Sequence, residues 1–449
     1  MGREIKFKKV YYLDRRKKNF VNNICLLLLL FLMLGFFLFG RVFSHINLKI
    51  NDFPIYITEV FLFVSLLLII AGSLLFEKGK VYFASFQRKE FTFLYIIFLF
   101  SFIRGLFNYE LYLVLRQSAI IYYSAFYFLV PILLNSLKKI KWFIHILFFS
   151  NCLLIISEIF KISVPGLGSF RYYYFSIALI LLIFCLLLSK KKMVKLFAYI
   201  LILIDFIIII FDKIRGSWVS LFISVLFIFY LYFRLPVLRK DLKKIVFFII
   251  TVTLIIILVI FFLSQFKPGI VRKILDEFEG IYKFNSLDTA PANNVKWRLM
   301  VWGDIFRESL EKPLLGYGFG KPFLSESLRE YDWLTPGEDW MDPHNSYLSI
   351  LYRIGFIGLF AFLFIIFRFF KLTINFINNC KDNQVRVYIA GFLTTIVFIL
   401  GISLFAVVLE GPFLGIFLWI NMGIVVSLIR VYKIKVNSKG KISNVQLAK

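Results

Sequence analysis

The sequence predicts an all-α polytopic membrane protein. Three observations carry that expectation: 60% of its 449 residues are hydrophobic, the mean hydropathy is +0.84, and apolar runs near twenty residues recur from end to end. A soluble domain is about half apolar, and a helix needs roughly 20 apolar residues to cross a bilayer. About twelve such runs are present, around 22–40, 54–76, 91–107, 113–134, 142–161, 172–189, 193–212, 216–233, 245–266, 346–369, 387–409 and 412–430.

The first run follows basic residues, as in a signal peptide. It is long for a signal core, and no small-x-small cleavage pattern follows it, so it reads as a retained helix. Residues 1–21 and 431–449 then read as basic cytoplasmic ends. Orientation follows from lysine and arginine. The clusters Arg15-Arg16-Lys17-Lys18, Arg88-Lys89, Lys138-Lys139, Lys190-Lys191-Lys192, Lys243-Lys244 and the lysine-rich tail all fall on one side of an even number of crossings. Basic residues mark the cytoplasmic side. The net charge of +27 therefore reflects topology and contact with anionic lipid, and nucleic acid is not an expected partner.

Residues 267–345 break the pattern. They hold 13 of the 26 acidic residues, four of seven tryptophans and six of eleven prolines. The stretch reads as a large extracytoplasmic, periplasmic loop with short helices, rich enough in aromatic and turn residues to pack on itself and on the helix ends. Within it, 294–311 reads as a helix with Val295, Leu299, Trp302 and Phe306 on one face. Pro313 and the run Gly316-Tyr317-Gly318-Phe319-Gly320 end it.

Charges near the predicted spans are one-sided. Glu59, Arg104, Arg116, Glu158, Arg215, Arg353 and Glu410 fall in or at the rim of the outer half, with Asp205 deeper. A charge at the bilayer centre costs about 2.5–3.5 kcal/mol or more. The set reads either as a polar cavity beneath the loop or as interface residues with arginines snorkelling outward. The four cysteines form no CxxC pair and there are only three histidines. No disulfide, metal or other cofactor is expected; Glu338, Asp339 and Asp342 read as solvated loop carboxylates.

Four motifs stand in order: Arg298-Leu299-Met300-Val301-Trp302, Pro313-Leu314-Leu315-Gly316-Tyr317-Gly318, His344-Asn345-Ser346-Tyr347-Leu348, and Gly355-Phe356-Ile357-Gly358. Together they resemble the shared domain of the bacterial O-antigen ligase and O-antigen polymerase family, across roughly 210–370. The resemblance implies a GT-C-like glycosyltransferase acting outside the inner membrane. Its donor is an undecaprenyl-diphosphate-linked oligosaccharide and its acceptor is a glycan or lipid A-core, usually without a metal ion. The family's arginine at the outer end of a helix matches Arg215, although isoleucine stands before it where serine is usual.

Residue chemistry agrees with the resemblance. A departing diphosphate gathers negative charge, and the guanidinium fork matches phosphate oxygens. Arg215 and Arg298 are the candidates for that task, with Arg116 as a further diphosphate- or glycan-binding residue. His344 is the candidate to deprotonate an acceptor hydroxyl or to orient phosphates, and Asp342 is placed to hold its tautomer. Asn345, Tyr347 and Trp302 are substrate-binding candidates; Asn345 also fits a helix N-cap and Tyr347 an interface aromatic. Gly355 and Gly358 read as close-packing positions. The expected function is transfer of lipid-linked glycan in surface polysaccharide biosynthesis, leaning towards repeat-unit polymerase, with a ligase to lipid A-core or a lipid-linked glycan flippase as alternatives.

Overall fold

The computed structural model describes residues 15–50, 53–76, 87–160, 171–211, 214–266, 290–330 and 341–446, with scattered positions between 268 and 285. The carboxylates Glu338 and Asp339, and the start of the N-terminal basic segment, lie outside the described residues.

The chain is a helical bundle. Its elements are α1 (Arg15–Ser44), a β1–β2 hairpin (Asn47–Ile50 and Phe53–Tyr56), α2 (Ile57–Phe76), α3 (Arg88–Asn108), α4 (Leu111–Tyr122), α5 (Ala125–Leu133) and α6 (Leu137–Ile159). There follow α7 (Arg171–Leu188), α8 (Lys192–Phe211), α9 (Arg215–Arg234) and α10 (Pro236–Phe266). After α10 come α11 (Ala290–Ser309) and the short α12 (Glu326–Glu330). The long α13 (Ser346–Asn379), α14 (Asn383–Ile402) and α15 (Leu414–Gln446) complete it.

Among the described residues eight helices are long and apolar enough to cross a membrane. The pair α4–α5, bent by 49°, makes a ninth if it counts as a single span. The apolar parts of α2 and α7 are shorter. The protein is thus a multi-pass helical membrane protein. It is not strictly all-α: β1 and β2 pair antiparallel, with Asn47 opposite Tyr56. Four-residue strands beside a twenty-residue apolar helix leave too short an alternating pattern to detect.

Burial sorts the helices. Of the apolar windows of α14 and α15, 83% and 89% are buried, against 28% for α3, α8 and α9. The first two form the centre of the bundle, and the others wrap it with faces suited to lipid. Phenylalanine serves both environments: Phe36, Phe143 and Phe417 are buried, whereas Phe63, Phe93 and Phe367 face outward.

Several charges predicted in the outer half prove to be structural ties. Asn151 on α6 donates to both carboxylate oxygens of Asp205 on α8, each at 3.0 Å. Arg104 on α3 donates to the carbonyls of Leu315 and Gly316 at 2.8 and 2.7 Å. Arg353 on α13 pairs with Glu410 between α14 and α15, and Ser349 bonds to both.

The segment around α11 docks through its glycines. Helix α13 breaks at Gly355, where φ is 66°. The freed carbonyls of Tyr352 and Arg353 accept from the amides of Tyr317 and Gly318, both at 2.9 Å. In return Phe356 and Ile357 donate to Pro313 and Leu314 at 2.7 and 3.2 Å. A Cβ on Gly355 would meet the Leu314 oxygen at 2.3 Å, so the two backbones touch only because no side chain stands between them. The Gly320 amide donates to Gln117 on α4 at 2.6 Å. A separate small core of Val301, Ile305, Tyr317, Phe323, Leu328 and Tyr352 fills the space between.

The predicted packing face of α11 needs correction. Val301 and Ile305 are buried, as are Ala292, Asp304 and Ser309, while Leu299 and Phe306 are exposed at 44% and 45%. Spacing alone cannot decide between two apolar stripes on one helix; contact with α13 does.

Candidate active site

The first residue after the docked segment adopts an unusual backbone. His344 has φ 47°, the only positive φ outside glycine among the described residues. Such conformations cost of order 1–3 kcal/mol and gather at functional positions. The turn is held on every side. The Trp302 indole on α11 donates to the carbonyl of Pro343 at 2.9 Å. Asn345 caps α13, its side-chain oxygen accepting from the amides of Tyr347 and Leu348 at 2.9 and 3.1 Å. Ser346 donates to the Ala406 carbonyl at 3.0 Å and accepts from the amides of Val408 and Leu409. The Tyr347 hydroxyl donates to the Leu400 carbonyl at 2.8 Å.

The histidine ring is thereby presented at the surface of the turn. Its centroid lies 4.8 Å from the ring of Trp297 on α11. The flanking protein and the Arg298 charge push its pKa below the usual histidine value, while Asp342 pulls the other way. A neutral imidazole follows at neutral pH.

Arg298 also responds to Arg215. Burial, then the Arg215 charge, hold its pKa below the usual arginine value, with Tyr173 opposing; it stays cationic at any physiological pH. Its Nε is buried without a hydrogen-bond partner among the described residues. Arg215, the first residue of α9, reaches Asn294 of α11 at 3.4 Å. Two guanidinium groups that repel each other beside a neutral histidine form a setting for a multiply charged anion.

The sequence-predicted residues thus divide. Arg215, Arg298 and His344 come together from α9, α11 and the start of α13. Trp302, Asn345 and Tyr347 surround them but spend their polar atoms on backbone. Arg116 lies elsewhere, on α4, with its guanidinium carbon 4.8 Å from the Tyr56 ring centroid. Sequence reasoning missed Trp297, whose position directly before Arg298 was the available signal, and Ser346, which ties the histidine turn to the α14–α15 connection.

A multi-pass helical membrane protein with two arginines and a histidine at one helix-bundle end is the class defined so far. Residues 198–363, which contain all three side chains, match the family model described as O-Antigen ligase. Proteins named "Putative polysaccharide ligase" are similar to part of the chain. That of Rickettsia felis is 32% identical over 93 residues, covering 20% of this chain and 22% of that protein. That of Rickettsia typhi is 28% identical over 156 residues, covering 33% and 34%. The chain therefore spans about a fifth to a third of the length of the curated relatives it matches.

Proposed function

We propose that the protein is a metal-independent glycosyltransferase of GT-C-like, twelve-span architecture, seated in the cytoplasmic membrane of a bacterium. It moves a glycan from an undecaprenyl-diphosphate donor to an acceptor sugar on the outer side. In this reading residues 267–345 are extracytoplasmic and the basic segments 1–21 and 431–449 face the cytoplasm, in keeping with the basic clusters. The observation that carries the proposal is the convergence of Arg215, Arg298 and His344 within the segment that matches the O-antigen ligase model.

The acceptor hydroxyl oxygen attacks the anomeric carbon of the donor. The bond from that carbon to the diphosphate oxygen breaks, and its electron pair departs with the lipid diphosphate. Arg215 and Arg298 meet the growing charge; loss of one such stabiliser costs about 2.7–4 kcal/mol in comparable sites. His344, neutral before the step, takes the hydroxyl proton.

Both repeat-unit polymerase and ligase use this chemistry. The names of the Rickettsia proteins favour a polysaccharide ligase. Purified protein given lipid-diphosphate-linked oligosaccharide separates them. A product ladder without a lipid A-core acceptor identifies a polymerase, and single transfer that requires this acceptor identifies a ligase. Undiminished transfer by both His344→Ala and Arg298→Ala would refute the site.

A further inference from the structure

When donor and acceptor are both anchored in a membrane, each needs a place to hold its head group at the same surface. The cluster of Arg215, Arg298 and His344 provides one. A second arginine-bearing cavity is built from other elements. It lies between β2, α2 and α4, has a volume of about 310 Å3, and is lined by Tyr56, Glu59, Leu66, Tyr112, Arg116 and Tyr122 among others.

Among the described residues no carboxylate pairs with Arg116, although Glu59 lines the same cavity. The arginine's guanidinium rests against the Tyr56 ring, and its Nη1 is buried with no hydrogen-bond partner among the described residues. The nearby carboxylate is occupied. Glu59 accepts from the Tyr56 amide at 3.0 Å and from the Tyr122 hydroxyl at 2.5 Å. A desolvated cation in a largely apolar wall, whose one carboxylate is engaged by tyrosine and backbone, favours an incoming anion, and the guanidinium fork suits phosphate.

Below the arginine the cavity becomes hydrocarbon-like. Glu59, Leu62, Phe63 and Leu66 lie along one face of α2. Leu66 also lines a second cavity of about 410 Å3, walled by Arg88, Phe91, Thr92 and Tyr95 of α3 and by Ala125 and Phe128 of α5. The two make a groove that runs from Arg116 along the helices, a shape for one hydrocarbon chain under an anionic head. The several acyl chains of a lipid A require a broader face.

We propose that this groove is the acceptor site, and that it takes a second polyprenyl-diphosphate-linked glycan with its phosphate on Arg116 and its chain along Leu66. The inference rests on the reading of Arg215, Arg298 and His344 as the donor site. It makes both substrates the same kind of lipid, and so favours polymerisation.

Native mass spectrometry of the full-length protein with undecaprenyl-diphosphate-linked oligosaccharide tests it by counting bound lipids. Wild type should hold two. Arg116→Gln should weaken one by about tenfold or more, as loss of a charge-assisted contact does, while Arg298→Gln weakens the other. Leu66→Trp, which fills the groove and leaves the arginine in place, should reproduce Arg116→Gln and guards against a folding effect of the charge change. A single bound lipid on wild type, or loss of the same lipid in both arginine variants, overturns the proposal. So does equal occupancy by phosphatidylglycerol, displacement by inorganic phosphate, or preferential binding of lipid A-core in the groove. Two separable lipids without any transfer would instead overturn the donor chemistry while leaving the groove intact.

Discussion

The indole nitrogen of Trp302 donates to the carbonyl of Pro343 at 2.9 Å, so the helix that carries Arg298 also fixes the residue before His344. The two candidate side chains are therefore linked by this strut, in addition to the bonds from Asn345, Ser346 and Tyr347 that hold the turn. Trp302→Phe keeps the ring and removes the bond. A net hydrogen bond is worth about 0.5–1.5 kcal/mol, so the rate of glycan transfer should fall roughly 2- to 12-fold with unchanged expression. An initial-rate assay on purified protein checks this, and an unaltered rate would show that the turn stands without the strut.

Acidity offers a second test. The His344 pKa is held below its usual value by burial and by Arg298, so its basic form persists as the pH falls through the ordinary histidine range and is lost only below it. The acid limb of kcat/KM should therefore lie below about 6.5. Arg298→Gln removes a repelling charge, raises the histidine pKa and should move the limb of the residual activity upward. A limb that moves downward, or that persists in His344→Ala, would assign it to another group.

Gly355→Ala should unfold the docking of the α11 segment. A Cβ there meets the Leu314 oxygen at 2.3 Å, and the φ of 66° is poorly tolerated by alanine. Large effects of this kind reach about 2 kcal/mol or more. The melting temperature in detergent should drop, whereas Gly303→Ala, with open space around the added carbon, should not lower it.

Asp304 is a stability test with a defined sign. Burial raises its pKa, but bonds from Ser325 and Ser327, helped by Arg307, outweigh this and leave it below the usual carboxylate value. Its contribution is present above the ordinary aspartate pKa of about 3.9 and is lost as the pH falls through the lowered one. Proteolysis between α11 and α13 should accelerate in strong acid, and Asp304→Asn should show that sensitivity already at neutral pH.

Much of this was legible in the residues. Apolar length announced the membrane helices, and the order of Arg298, Pro313–Gly318 and His344 announced the family whose model residues 198–363 match. Gly316 and Gly355 show the limit. Gly316 read as a helix-ending turn and Gly355 as a packing position, yet nothing in spacing said that they pack on each other across the break in α13. Arg104, Asp205, Arg353 and Glu410 look alike in sequence to Arg215 as charges near an outer rim; their partners at Leu315, Asn151 and each other exist only in three dimensions. The β1–β2 hairpin was invisible for a related reason, since four residues cannot display a period.

The break at Gly355 also sets an order of assembly. The carbonyls that receive Tyr317 and Gly318 belong to a helix made later in the chain, and the carboxamide that receives Gly320 belongs to α4, made much earlier. The segment between them has nowhere complete to dock until α13 has been synthesised and inserted. Formation of the histidine turn is therefore a late event in biogenesis, and a ribosome stalled before α13 would leave the α11 segment undocked.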